Sequence, residues 1–262
     1  MSAILLERDI VHYEVLGRGR PILFLHGWVG SWRYWIPVMQ AASVSFRTYA
    51  IDLWGFGDSA KNPAHYGLAD QMRLLDGFIE EMGILRFAVV GHGLGAVLGL
   101  MYARQNPAVV DRVMAVGLPL EEAMIHPRLR SDSPAALADW ALGRLPAAEA
   151  ARSDAPKADP AALQTSLTAL AGADLGRMWR TANLSCLLVN GLNDPVVQAP
   201  RLEQLADMPE LMHAVAFEQS GHFPMLDETS KFNRLLSDFL ALASGESPRD
   251  LQLKEEWKRR VR

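Results

Sequence analysis

The chain has one cysteine in 262 residues, Cys186. A single thiol excludes an internal disulfide and fits a reducing compartment. It lies in the apolar run "LSCLLVN" (184–190), where cysteine behaves as a small buried hydrophobe rather than a nucleophile. An excess of charge is also lacking: 26 Lys and Arg against 30 Asp and Glu leave a formal charge of −4. So mild an acidic balance gives nucleic acid no electrostatic hold. The start, "MSAILLERDI", has no basic stretch leading into a long apolar run, so no secretory signal is expected. No uninterrupted apolar stretch reaches the roughly 20 residues of a membrane-spanning helix. These absences lead us to expect a cytoplasmic globular chain. With 50% of its residues hydrophobic, it has the material for a large core.

What is present is an alternation. Short apolar or β-branched runs at 12–17, 21–27, 46–53, 86–91, 111–118, 184–191 and 211–218 read as strands. Between several of them lie segments with helical apolar spacing, at 69–83 (closed by Gly83), about 93–105, near 199–206 and about 228–243. Apolar strands separated by helices predict an α/β architecture, a mostly parallel sheet covered on both faces. The alternation lapses over 119–180, which is rich in Ala, Leu, Arg and Asp and predicts a helical insertion. The core is then expected from 1–118 and 181–246, followed by a charged tail at 247–262. In that tail Leu253, Trp257 and Val261 fall four apart, the spacing of a thin amphipathic helix.

Four stretches carry candidate chemistry, and their order matters. "FLHGW" ends a strand with His26 and Gly27; "DLWGFGDS" (52–59) follows the next; "GHGLG" (91–95) follows a third. Last, "NGLNDPVV" and "SGHFPMLDE" place Asp194 and His222 each just past a strand. In this order the motifs resemble those of the α/β-hydrolase fold family, over roughly residues 10–243. The resemblance implies a sheet of about eight strands, with 119–180 as a helical cap over the site. It also implies that "GHGLG" is the turn that presents the nucleophile, with an acid and then a histidine following in chain order. By that resemblance Asp194 is the acid and His222 the base. Trp28 and Leu94 supply backbone N–H groups to an oxyanion hole, and an ester-like or lactone-like carbonyl compound is the small-molecule partner.

The chain departs from that pattern at one residue. Gly93 stands where the family has its nucleophile, and the turn Gly91-His92-Gly93-Leu94-Gly95 contains no hydroxyl, thiol or carboxylate. Ser31, in "GWVGSW", is the nearest hydroxyl by motif position, but a serine after a turn reads as a helix cap. The central residue of such a turn sits at positive φ, where a side chain costs on the order of 1–3 kcal/mol and glycine does not. The fold thus tolerates Gly93, while attack on a carbonyl is lost. Three readings follow. The protein is a pseudo-hydrolase that binds a small carbonyl compound; or it is an enzyme in which His222 acts as general base without a covalent step; or Gly93 replaces an original serine. Inheritance alone would also keep Asp194 and His222 as a structural hydrogen bond.

"GHGLGA" also fits the glycine pattern of a dinucleotide loop. That loop belongs on the first strand–helix unit, with an acidic residue closing the next strand. Here the following strand ends "AVGLPL", and the first acids are Glu121 and Glu122. No cofactor is expected. His12, His65, His126 and His213 are scattered without metal-ligand spacing and read as surface or core residues. His92 is expected to pack beside the turn and Asp52 to fix a loop. Trp28, Trp32, Trp35, Trp54 and Phe223 are candidates for aromatic pocket walls.

Overall fold

The computed structural model describes residues 2–142 and 148–251. Among these, eight strands form one sheet: β1 (Ser2–Leu6), β2 (Asp9–Gly17), β3 (Arg20–Leu25), β4 (Phe46–Ile51), β5 (Phe87–His92), β6 (Val110–Val116), β7 (Ser185–Gly191) and β8 (Met212–Phe217). Their order across the sheet is β1-β2-β4-β3-β5-β6-β7-β8. The pairings β1·β2 and β2·β4 are antiparallel; all the others are parallel. The expected α/β sheet is therefore present. β1 went unread because Ser2–Leu6 is a half-exposed edge strand of only five residues. β2 begins three residues before the expected 12, since Asp9 and Ile10 pair with Leu6 and Leu5 across the hairpin.

β5 and β7 are buried along their whole length, as strands covered on both faces must be. The helices that cover the sheet include α1 (Ile36–Ala42), α2 (Leu68–Glu81) and α3 (Leu94–Gln105). Sequence reading missed α1, whose seven residues hold too little periodicity. α2 ends near the expected point, with Gly83 at φ +62° just past its last turn, a conformation that glycine takes without strain. α3 is apolar on nearly every side because it packs in the centre of the molecule.

Residues 119–180 contain α4 (Arg128–Ser131), α5 (Pro134–Leu142), α6 (Glu149–Asp154), α7 (Pro160–Ala171) and α8 (Leu175–Arg180). One isolated bridge, Ile125 to Val197, is the only extended pairing among the described residues of this stretch. α9 is shorter than expected, Leu202–Ala206, and α10 (Pro224–Asp227) and α11 (Thr229–Ala241) complete the α-helices among the described residues. The amphipathic spacing of Leu253, Trp257 and Val261 lies outside the described residues.

The topology explains where a site can form. The chain leaves β3 to one side for β4 and returns to the other side for β5, so the strand order reverses between β3 and β5. In open α/β sheets a ligand crevice opens outside the carboxyl ends of the strands at such a switch point. Gly27 follows β3 there, and Gly93 follows β5.

Candidate active site

β5 runs into Gly93, whose φ of +50° and ψ of −111° turn the chain into α3 without a linker. Two glycines let this turn form. At Gly95 a Cβ would collide with the carbonyl oxygens of Leu25 and His26, because α3 starts hard against the end of β3. At Gly93 a Cβ would sit 3.1 Å from Cε3 and Cζ3 of Trp28, and 3.6 Å from the Cα of Gly27. The Trp28 indole is fully buried, and its Nε1–H donates to Ser166 Oγ on α7 at 3.1 Å. A side chain at position 93 would therefore have to displace a tethered ring by a few tenths of an ångström. The Gly93 N–H donates to Val116 O at 2.9 Å and the Gly95 N–H to His26 O at 3.1 Å. Two N–H groups that a phosphate loop would offer are thus already spent inside the fold.

His222 and Asp194 meet. Nδ1 of His222 lies 2.9 Å from Oδ2 of Asp194, and both side chains are almost wholly buried. Oδ1 of Asp194 accepts from the N–H groups of Val196 (2.7 Å) and Val197 (3.0 Å). The carboxylate is thus held at both oxygens, and Nδ1–H of His222 is the donor to it. The far nitrogen, Nε2 of His222, is buried and meets no hydrogen-bond partner among the described residues. Gly117, at φ +57° past β6, a conformation that favours glycine, borders this pair at ordinary contact distance. A Cβ there would lie 3.7 Å from Asp194 Oδ2 and 3.8 Å from His222 Cε1.

A directed chain of hydrogen bonds ties three loops behind the pair. Gly27 N–H donates to the Tyr34 hydroxyl (2.7 Å), which stands 2.9 Å from His92 Nδ1. Nε2 of His92 is 2.9 Å from the carbonyl of His222. A carbonyl only accepts, so Nε2 carries the proton, Nδ1 accepts, and the tyrosine hydroxyl donates to it. Burial, reinforced by repulsion from His222, holds His92 well below the ordinary imidazole range, which keeps it neutral and this tautomer fixed. Burial likewise pushes the Tyr34 hydroxyl well above its ordinary range. His92 packs beside the turn as expected, its ring 4.3 Å from that of His222 and 4.9 Å from Phe223.

His26 and Asp52 brace the loops one layer further out. Nδ1 of His26 donates to Gly27 O at 2.8 Å, and Nε2 accepts from Leu53 N at 3.0 Å; burial keeps this imidazole below its ordinary range. Asp52 accepts from Trp32 N at 2.9 Å, from Asp58 N at 2.9 Å and from His12 Nδ1 at 3.0 Å. It fixes the 52–59 loop, the role expected of it. His12, Asp52 and Asp58 present atoms within 4.8 Å of one another, close enough to hold a cation. Those atoms are spent on each other and on Lys157, which lies 2.8 Å from Asp58.

The remaining candidates fall in different places. Phe223 stands edge-on to both Tyr34 and His222, inside the site. Trp35 packs on Phe24, Tyr34 and Phe232 in the core, Trp32 on His12, and Trp54 on His65 with ring centroids 4.5 Å apart. Ser31 caps the 3-10 turn Trp32–Trp35, as read, and donates to Asp154 on α6 at 2.5 Å. Sequence reading missed Tyr34, Gly117, Asp154 and Ser166. Tyr34 hides in an aromatic run whose other members are packing residues. The other three act across 77 to 138 positions of chain and leave no local motif.

The fold, the glycine turn and the ordered acid and histidine together define a hydrolase scaffold, and comparison with known proteins agrees. A profile of the alpha/beta hydrolase family matches residues 22–235; the chain belongs to that family. The 2-hydroxy-6-oxo-2,4-heptadienoate hydrolase of Pseudomonas putida is 29% identical over 260 residues, 86% of this chain and 91% of that one. A soluble epoxide hydrolase of Corynebacterium sp. is 30% identical over 108 residues, 41% of this chain and only 38% of that protein. Among solved structures, the enol-lactonase of Burkholderia xenovorans superposes with a TM-score of 0.80 at 20% identity, over 92% of this chain and all of that one. A serine-to-glycine mutant of an N-acyl homoserine lactonase, with N-hexanoyl homoserine lactone bound, gives 0.78 at 19% identity, over 91% and 96%.

Proposed function

We propose that this member of the family is a pseudo-hydrolase: a capped site that holds a small carbonyl or ester-type molecule without forming an acyl-enzyme. One observation carries the reading. His222 is oriented by Asp194 as a base would be, yet its Nε2 meets no hydrogen-bond partner among the described residues, and Gly93 has no side chain to offer one. Removal of the attacking group from such a triad costs about 10⁶ in turnover, which leaves roughly 10³–10⁴ over water from the oxyanion hole and binding. In this reading the N–H groups of Trp28 and Leu94 receive the carbonyl oxygen, His92, Phe223 and Gly27 shape the inner wall, and His26 braces that wall from behind. Helices α4–α8 act as the cap. The bonds from Trp28 to Ser166 and from Ser31 to Asp154 support this, since each joins that segment to a core loop. The lactone complex of the serine-to-glycine mutant supports it too, as a ligand-bound case on a similar scaffold. We place the protein in the cytoplasm; among the described residues no helix is long and apolar enough to cross a membrane.

A second reading has its own support in the intact His222–Asp194 bond. A neutral imidazole with Nδ1–H engaged has a lone pair free at Nε2, and that lone pair can take a proton from water or from a substrate. Turnover of p-nitrophenyl esters and lactones by the native chain, by Gly93→Ser and by His222→Ala separates the two. The pseudo-hydrolase reading predicts a native rate close to that of the His222→Ala variant and a large gain on Gly93→Ser. A native rate that His222→Ala abolishes establishes the general-base enzyme instead.

A further inference from the structure

We propose that the site selects carbonyl compounds bearing their own hydroxyl, such as α-hydroxy ketones, over esters and ethers of the same shape, because the ligand must supply the O–H that position 93 lacks. The inference rests on the site reading above and names its ligand class.

Nε2 of His222 is a buried polar atom with no hydrogen-bond partner among the described residues. Nδ1–H donates a hydrogen bond to Asp194, whose carboxylate can only accept, so in the neutral imidazole Nε2 is an acceptor waiting for a donor. Four hydroxyls of the site loops and of α7 already have acceptors. Tyr34 donates to His92, Ser31 to Asp154 at 2.5 Å, Ser166 to Leu163 O at 2.8 Å, and Ser220 to Glu228 at 2.7 Å. Gly93 has nothing to offer. An ester or lactone carries a carbonyl oxygen for the N–H groups of Trp28 and Leu94, yet no donor for Nε2, which it would seal in unsatisfied. A hydroxy ketone meets both demands at once: its C=O accepts from the backbone and its O–H donates to His222. A buried acceptor left without a partner is costly, so the matched ligand should bind roughly tenfold or more tightly than its methyl ether.

The test is calorimetric titration of the native chain with three probes: α-hydroxyacetophenone, α-methoxyacetophenone and methyl benzoate. The titrations are run at about pH 8.5. The proposal predicts the hydroxy ketone to bind at least about tenfold tighter than the other two. In His222→Phe, checked for folding by near-ultraviolet circular dichroism, that preference should shrink to within about twofold. Equal binding of all three to the native chain overturns the donor rule and leaves the carbonyl-site reading standing. A preference that survives in His222→Phe also overturns it, since the hydroxyl is then read by another group. No binding of any probe overturns the donor rule and the site reading together.

Discussion

At Gly93 the conformation and the chemistry pull in the same direction. A φ of +50° and a tethered indole 3.1 Å from the Cβ position both favour the one residue that has no side chain. Gly93→Ala should therefore destabilise the fold by about 1–3 kcal/mol, read as a lower urea midpoint. An unchanged midpoint would mean that the turn relaxes and Trp28 yields freely. The histidines add a pH dependence whose sign can be worked out. Burial lowers His26, His92 and His213 from the ordinary value. For each, the unfolded chain binds a proton that the folded one resists, so stability is lost as pH falls through about 6.5. His12 acts in the opposite sense. Burial alone would lower it, but its bond to Asp52 and the charge there leave it raised. Its contribution is full below about 6.5 and fades as pH rises through the raised value. Three groups against one give a lower unfolding free energy at about pH 5 than at about pH 7.5. A flat profile would show that the raised His12 offsets the three lowered histidines.

Among the elements, the helical segment shares the apolar core of the sheet and is tied to it by polar bonds as well. Asp154, at the end of α6, accepts from Ser31 Oγ and lies 2.8 Å from Arg33 Nε and 3.0 Å from Lys157 Nζ. Asp159, which precedes α7, accepts from Tyr66 at 2.6 Å and donates its N–H to Gly55 O at 2.8 Å. Arg33 and Lys157 are about one-third exposed and can turn to water, so Asp154→Ala should cost about 1–3 kcal/mol, toward the lower end. Limited proteolysis within 149–180 should quicken in that variant while the circular dichroism of the sheet persists. Unchanged cleavage would show that apolar packing alone seats the segment. None of these ties was legible in the sequence. The helices of the segment were, because their composition is apolar and lacks strand-like runs. What they rest on was not, since Ser31 and Asp154 lie 123 positions apart and neither belongs to a motif.

For the whole molecule, the parallel strands were legible because each is an apolar run bounded by turn residues. Their ends carried the motifs, since loops past the carboxyl ends converge on the switch point. β1 and α1 escaped for want of length and periodicity. The pairing of Asp194 with His222 was legible through motif order; the Tyr34–His92 chain behind it was not, because only three-dimensional packing brings those rings together. The proposed reading makes its central claim about covalency: His222 and Asp194 serve a carbonyl site whose turn, residues 91–95, offers no hydroxyl, thiol or carboxylate to be acylated. Intact-protein mass spectrometry after exposure to a fluorophosphonate ester tests this most directly. The native chain should keep its mass, and Gly93→Ser should gain one adduct, mapped to position 93. An adduct on the native chain, lost in His222→Ala, would reveal a nucleophile elsewhere in the site and contradict the account.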